Sequence, residues 1–141
     1  MKVSQIMTSR VFTVAPADTV ALAEETMTSE HIRHLPVVDG DLLVGIVSQR
    51  DVLAASPSNI SVPSEDDDLD FKSRLHVNKI MRGFVESVRP DTDAAEAAGT
   101  MLEQKIGCLP VVDDRLHVLG IVTEADFVRL ARDLLRSKRA A

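Results

Sequence analysis

The first third of the chain alternates short apolar runs with one segment of helical periodicity. Residues 11–14 form a mostly β-branched run that stops before Pro16, which predicts a short strand followed by a turn. Asp18 or Thr19 can cap a helix that continues to about Ser29. The apolar residues that would share one face of this helix are Val20, Ala23 and Met27.

Two further apolar runs follow, at residues 35–38 and 43–47. Asp39, Gly40 and Asp41 separate them, and this composition is typical of a tight hairpin turn. A second helix is expected to begin at Ser48, where the apolar run ends. The pattern therefore predicts the order strand, helix, strand, strand, helix.

The same pattern returns in the second half of the chain. Pro110 follows Pro36 by 74 residues, and this offset also aligns Ile6-Met7 with Ile80-Met81, Pro16 with Pro90, and Met27 with Met101. The offset becomes 75 at Gly45 and Gly120, because the second copy has one extra residue in its hairpin turn. The second copy predicts strands at residues 86–88, 109–112 and 118–122, and helices from Asp93 to Gln104 and from Thr123 onward.

The duplication divides the chain into repeat 1 (residues 1–55), an acidic linker (56–75) and repeat 2 (76–141). The linker has two prolines, several serines and an acidic run, so we predict a solvated loop. One repeat of ~50–60 residues buries too little apolar surface to be comfortably stable alone. We therefore expect the repeats to pack through their sheets about an approximate twofold axis, with a cleft on either side.

Composition narrows the class of protein. Hydrophobic residues make up 45% of the 141 residues and aromatic residues 3%, so the core is expected to be aliphatic. A net charge of −6 argues against a general nucleic-acid-binding surface. Cys108 is the only cysteine, no apolar run approaches the ~20 residues of a membrane span, and the N-terminus lacks the apolar stretch of a secretory signal. We expect a soluble, cytoplasmic protein without a membrane partner.

Each copy ends in a hydroxyl residue, two variable residues and an aspartate: Ser48 with Asp51, and Thr123 with Asp126. One interpretation is a capping box, in which the hydroxyl and the acid satisfy the N–H groups at a helix start. The other is a binding site, since a helix start offers N–H groups to an anion and a carboxylate can accept from both hydroxyls of a ribose. The spacing does not separate the two interpretations, which are compatible.

The whole unit resembles the cystathionine beta-synthase (CBS) domain family. The resemblance is carried by T-V-x-P at the start (S-V-x-P in the second copy), L-P-V-V-D in the middle and G-I-V-[ST]-x-x-D at the end of each copy. It covers about residues 3–55 and 77–135. Two copies in tandem resemble a Bateman module. This implies an α/β fold of two β-α-β-β-α repeats, with adenosine-containing ligands such as AMP, ADP or ATP bound between the repeats.

The resemblance also implies roles for residues. Asp51 and Asp126 would hold the ribose, with Ser48 and Thr123 beside ribose or phosphate. The adenine pocket would comprise Thr13, Val14, Ile46, Ser87, Val88 and Ile121. Basic residues that would reach the phosphates are Arg33, His34 and Lys105.

The two copies differ where phosphates would bind. Gly107 and Cys108 replace Arg33 and His34 in the second copy, and Glu124 adds a negative charge at its helix start. We therefore expect at most one good nucleotide site, the one that uses Arg33 and His34. The other site would be empty or would suit a less charged ligand.

Other chemistry has little support in the sequence. His31 and His34 stand three residues apart without a carboxylate or thiol cluster beside them, so no metal site is expected. Cys108 follows a glycine at a strand entry and is expected to be a small buried residue, since the sequence offers no assignable base for a nucleophile. Phosphate-loop and G-x-S-x-G motifs are absent, and we expect no enzyme activity of the chain alone.

The sequence therefore predicts a sensor of an adenosine-type ligand that regulates a separate, unidentified protein. The resemblance implies a homodimer, and the apolar stripe of the last helix is a candidate contact surface, formed by Phe127, Leu130, Leu134 and Leu135. The alternative is a ligand-independent dimerisation or interaction module, in which the two Ser/Thr and Asp pairs are only helix caps.

Overall fold

The computed structural model describes residues 1–56 and 65–140, so residues 57–64 of the predicted linker lie outside the described residues. Two short 3₁₀ turns are present at Val3–Gln5 and Val77–Lys79. The helices are α1 (Val20–Glu30), α2 (Gln49–Ala55), α3 (Glu65–Arg74), α4 (Ala94–Gln104) and α5 (Glu124–Ala140). The strands are β1 (His34–Asp39), β2 (Leu42–Ser48), β3 (Cys108–Val112) and β4 (Val118–Thr123). The mixed helix-and-strand class predicted from the sequence is confirmed.

The chain forms two compact units that do not coincide with the sequence repeats. The first-repeat unit is Phe12–Val85, and the second-repeat unit combines Met1–Val11 with Glu86–Ala141. The segment that begins each repeat has therefore joined the unit of the other repeat. Each unit consequently contains the strands and helices of one repeat and the Ile-Met segment of the other.

In the first-repeat unit, β1 and β2 form an antiparallel hairpin with a bulge between Val37 and Val38. Thr19 caps α1, since its hydroxyl accepts a hydrogen bond of 3.1 Å from the backbone N–H of Leu22. The core is aliphatic, as the composition predicts, and consists of Val14, Val20, Ala23, Met27, Leu35, Val37, Val47, Val52 and Val77.

The second-repeat unit repeats this arrangement. Strands β3 and β4 pair antiparallel with a bulge between Val111 and Val112, and the carboxylate of Asp93 accepts a hydrogen bond from Ala95 at the start of α4. Its buried cluster is formed by Val3, Ala97, Met101, Leu109, Val111 and Val122. Val3 belongs to the segment that joins this unit from the other repeat.

The first strand predicted in each copy is reduced to a single parallel bridge. Val14 donates to the carbonyl of Pro36 at 3.1 Å and accepts from Val38 at 2.9 Å. Val88 bridges Val111 in the same way in the second copy. The ladder ends there because Pro16 follows two residues after Val14 and cannot donate to it.

The acidic linker is not wholly a loop, because its second half forms α3. Two i,i+4 ion pairs offset the repulsion within the acidic run: Lys72 lies 2.7 Å from Asp68, and Arg74 lies 2.9 Å from Asp70. Lys72 also lies 2.6 Å from Glu24 of α1 and is itself buried. The loop prediction was wrong for residues 65–74, because ion pairs with basic residues one turn away stabilise a helix there.

The last helix is long, as predicted, but its apolar stripe has two parts. Phe127 packs against the core of the second-repeat unit, and Leu130 is half-buried. Leu134 and Leu135, one to two turns further, are exposed by 54% and 64%. Within residues 1–56 and 65–140, no helix is both long and apolar enough to cross a membrane.

Candidate functional site

The candidate site of the first repeat lies at the junction of β2 and α2. Ser48 and Asp51 form a reciprocal capping box: the N–H of Asp51 donates to Ser48 Oγ at 3.1 Å, and the N–H of Ser48 donates to Asp51 Oδ2 at 2.9 Å. Ser48 and Asp51 therefore cap α2 in the way that the capping interpretation predicts. The second carboxylate oxygen, Oδ1, takes no part in the box, and 14% of the Asp51 side chain remains exposed.

A cation that the sequence analysis did not single out lies beside Asp51. Arg82 Nε is 3.7 Å from Asp51 Oδ1. The backbone of Arg82 pairs with Ile46 on β2, with N···O distances of 2.9 and 3.0 Å. The sequence does contain a signal for this cation. At the offset of 74 residues, Arg82 stands where the first copy has Thr8, directly after the Ile-Met pair that the two copies share.

The predicted phosphate residues of the first repeat lie beside the same helix start. The carbonyl of Arg33 accepts from the N–H of Gln49, the first residue of α2, at 2.8 Å. His34 pairs with Ser48 in the hairpin register. The backbones of both residues therefore lie close to Ser48 at the start of α2. The side chain of Arg33 is exposed and that of His34 is half-buried.

The second repeat has the same backbone arrangement but different charges. Gly107 takes the place of Arg33 and accepts from the N–H of Glu124 at 3.1 Å, and Cys108 pairs with Thr123 in the register. Lys105, which was predicted to reach phosphate, is the exposed left-handed cap of α4, and its N–H bonds back to Met101.

The carboxylate of Asp126 is more fully engaged than that of Asp51. Its Oδ2 accepts from the N–H of Thr123 at 2.8 Å and from the Thr123 hydroxyl at 3.3 Å. Its Oδ1 accepts from Arg129 Nη2 at 2.5 Å, and only 5% of the side chain is exposed. Both oxygens of Asp126 therefore already have hydrogen-bond partners within the second-repeat unit.

The glycine of each G-I-V motif has a packing role. A Cβ on Gly45 would lie 2.6 Å from Met81 Sδ and 3.1 Å from the carbonyl of Arg82. On Gly120 it would lie 2.7 Å from Met7 Sδ and 3.0 Å from the carbonyl of Thr8. The absent side chain lets the Ile-Met segment approach the strand, and this approach holds Arg82 beside the first-repeat site.

The predicted adenine-pocket residues have different surroundings. Thr13 is exposed and Ile46 is half-buried, whereas the side chains of Val14 and Ile121 are buried at 4% and 9% exposure. The other two residues, Ser87 and Val88, line an open cavity of about 300 Å³ in the second-repeat unit. Its other lining residues are all polar or charged: Glu86, Arg89, Thr92, Glu96 and Thr100.

The structure also bears on two other kinds of site, a reactive cysteine and a metal site. Cys108 is buried, as predicted, and burial raises the pKa of its thiol to about 12. The thiol is therefore neutral at physiological pH, unlike a reactive thiolate. In residues 1–56 and 65–140 no group of three His, Cys, Asp or Glu side chains is arranged to hold a metal ion.

The sequence model of the CBS domain matches the chain twice, at residues 3–58 and 77–133. The chain therefore belongs to the CBS domain family and carries two tandem repeats. It is similar to a CBS domain-containing protein of Dictyostelium discoideum, with 34% identity over 130 residues, which cover 91% of this chain and 89% of that protein.

Solved structures of CBS-pair proteins share the fold. CBSX2 of Arabidopsis thaliana in complex with AMP has 32% identity and a TM-score of 0.79, covering 94% of this chain and 97% of that one. The CBS domain pair of protein MJ0100, in complex with 5'-methylthioadenosine and S-adenosyl-L-methionine, has 27% identity and a TM-score of 0.79, covering 94% and 97%.

Proposed function

We propose that this protein is a regulatory module that binds an adenosine-containing ligand, with AMP, ADP or ATP as the leading candidates. The observation that carries the proposal is the Asp51 carboxylate, which uses Oδ2 in the capping box and has Oδ1 on the side of Arg82, 3.7 Å from its Nε. Family membership supports it, because similar CBS pairs have been solved with AMP and with S-adenosyl-L-methionine.

The carboxylate of Asp51 suits a ribose. An ionised carboxylate accepts hydrogen bonds only, and the vicinal hydroxyls of a ribose offer two donors to it. The capping bonds from Ser48 fix the orientation of the carboxylate before a ligand arrives, so little side-chain entropy is lost on binding. Capping and ribose binding are thus compatible uses of one side chain.

Charge supports the first-repeat site over the second as the nucleotide site. The Arg82 guanidinium lies beside Asp51, and the backbone of Arg33 is hydrogen-bonded to the start of α2, so the first-repeat site has two arginines that favour an anionic ligand. In the second repeat, a glutamate stands at the helix start and Asp126 is already paired with Arg129. We therefore propose one nucleotide per chain, bound at the first repeat.

Regulation would follow from a population shift. A ligand that binds one conformation of the module more tightly than another favours that conformation. The shift changes how the module contacts the protein that it regulates. We assign the chain itself no catalytic step, and we place the regulated activity in a separate partner. A second copy of the chain is the proposed homodimer partner.

Ligand binding is tested by the thermal stability of the full chain with AMP, ADP, ATP, S-adenosyl-L-methionine, NAD(H) and cyclic dinucleotides. A ligand at 100 times its Kd should stabilise the fold by about 2.7 kcal/mol, which raises the Tm by several degrees. The Asp51→Asn variant should lose the shift and fold normally, since an asparagine oxygen still accepts from the N–H of Ser48.

The matched control is Asp126→Asn at the same position of the second repeat. Under the proposal it keeps the AMP-induced shift of the wild type. The absence of a shift with every ligand in the panel would reject the sensor and favour a ligand-independent interaction module. Loss of the shift in Asp126→Asn with retention in Asp51→Asn would move the nucleotide to the second repeat.

A further inference from the structure

Arg82 lies beside Asp51, but its Nε is too far from the carboxylate for a hydrogen bond. The separation of 3.7 Å between Arg82 Nε and Asp51 Oδ1 exceeds hydrogen-bond distance, and 64% of the arginine side chain is exposed. Its place is set by the backbone instead, through the two hydrogen bonds with Ile46. A guanidinium in this state can exchange one anionic partner for another at little cost.

Ligand binding at Asp51 would cause such an exchange. A guanidinium has five N–H donors in a planar fork that matches two phosphate oxygens. When a ribose occupies Asp51 Oδ1, Arg82 loses part of its attraction to the carboxylate. A phosphate on the same ligand replaces that partner, whereas a nucleoside without phosphate leaves the guanidinium to solvent.

The second repeat provides an internal comparison. Thr8 holds the place of Arg82 there, with the same pair of backbone hydrogen bonds, 2.9 Å each, to Ile121. The cation at Asp126 comes instead from Arg129 on the same helix and is hydrogen-bonded to the carboxylate. Ala54 occupies the position of Arg129 in the first repeat, so Arg82 supplies a charge there that α2 does not.

We propose that Arg82 is the specificity-determining residue of the Asp51 site. It binds the phosphate of a 5'-phosphorylated adenosine ligand and makes the site select such ligands over adenosine. This inference rests on the proposed function, since it requires Asp51 to hold the ribose. Arg33 and His34 also reach the site through their backbones, by the hydrogen bond from Gln49 to the carbonyl of Arg33 and by the pairing of His34 with Ser48.

The test is isothermal titration calorimetry of the full chain with AMP and with adenosine. Arg82→Thr should weaken AMP binding by about 10- to 100-fold, the effect of losing a charge-assisted hydrogen bond. Its Kd for adenosine should stay within about threefold of the wild type, because no phosphate is involved. Threonine is suited to this backbone position, since the chain itself uses Thr8 at the equivalent place.

Two further variants sharpen the result. Arg74→Thr removes an arginine with an exposed side chain that pairs with Asp70 on α3, and it should leave both affinities unchanged. Arg82→Lys keeps the charge but not the planar fork, so it should retain part of the preference for AMP. Circular dichroism of each variant establishes that the fold is intact before the titrations are compared.

The outcomes separate the two proposals. If the wild type binds neither adenosine nor any of AMP, ADP and ATP, the proposed function fails. If the wild type binds AMP but Arg82→Thr keeps the same ratio of AMP to adenosine affinity, the role of Arg82 is overturned while the ligand site stands. Equal loss of both ligands also overturns it, because Arg82 would then only position the carboxylate.

Discussion

At the residue scale, Asp113 in the turn between β3 and β4 shows how one side chain organises a hairpin. Its carboxylate accepts from the N–H of His117 at 2.9 Å and of Arg115 at 2.8 Å, and it contacts His117 Nδ1 at 2.9 Å. These bonds, above all the one from the His117 backbone, lower the pKa of Asp113 from its usual 3.8. They also hold Leu116 at a positive φ of 65°.

The lowered pKa of Asp113 has a defined pH dependence. Because the pKa is lower in the folded state, these bonds contribute their full free energy to folding above the unfolded pKa of about 3.8. This contribution is lost as the pH falls from that value through the lower pKa of the folded state. A ¹³C NMR titration of the Asp113 carboxyl should therefore have its midpoint below 3.8. His117→Ala keeps the backbone donor and should raise the midpoint only part of the way; a wild-type midpoint at or above the usual value contradicts the account.

The comparison of Asp51 with Asp126 also belongs to the residue scale. The motif predicted both aspartates at helix starts, and the structure places both there with the expected bond to the residue three positions before. The difference between them comes from their second oxygen, which faces Arg82 in one repeat and Arg129 in the other. A motif of four residues contains no information on either arginine.

At the element scale, α3 is held to α1 by a buried charge. Burial alone lowers the pKa of Lys72, but its hydrogen bonds and charge interactions with Asp68 and Glu24 outweigh this effect, and its pKa is raised. Lys72 therefore stays protonated and links the two helices. Residues 65–74 therefore form a helix that is tied to α1 through Lys72, although most of their side chains are exposed.

Gly45 and Gly99 are expected to respond in opposite ways to alanine. A Cβ on Gly45 meets Met81 and the carbonyl of Arg82, and the carbonyl is fixed by its pairing with Ile46, so Gly45→Ala should cost about 1–3 kcal/mol. Gly99 lies inside α4 with nothing within 4 Å of its Cβ position, so Gly99→Ala should stabilise by up to about 1 kcal/mol.

Urea denaturation of both variants measures the two free energies of unfolding. A stability of Gly45→Ala equal to the wild type would show that the Ile-Met segment does not need the close approach. Displacement of this segment should also move Arg82, so the same variant should lose AMP affinity relative to adenosine.

At the scale of the whole molecule, α5 is the proposed contact with a second copy. Leu134 and Leu135 remain exposed, although the inner part of the same stripe packs on the second-repeat unit. Light scattering of the Leu134→Glu, Leu135→Glu double variant should give the monomer mass where the wild type gives the dimer. Leu102→Glu, at a residue exposed by 79% on α4, should remain dimeric. A monomeric wild type, or a dimer in both variants, would reject this contact.

Much of the fold could be predicted because it depends on local patterns. Asp18 or Thr19 was predicted to cap the first helix, and Thr19 is the cap of α1. The corresponding helix of the second copy was predicted to begin at about Asp93, which lies one residue before α4 and caps it. The hairpins of both repeats also follow their apolar runs. The first strands and α3 were not predicted correctly, because a proline limits the strands and distant pairing with Glu24 stabilises the helix.

The sequence by itself determined the order of elements and the two carboxylates at helix starts, because apolar periodicity and helix caps are properties of neighbouring residues. It also determined the duplication, which needs only a comparison of the sequence with itself. Only the tertiary structure decided that the Ile-Met segments change units, since the offset relates the two copies equally well with or without the exchange. That exchange brings Arg82 to Asp51 and Thr8 to Ile121. The difference in charge between the two candidate sites therefore depends on long-range backbone pairing, which a local motif does not encode.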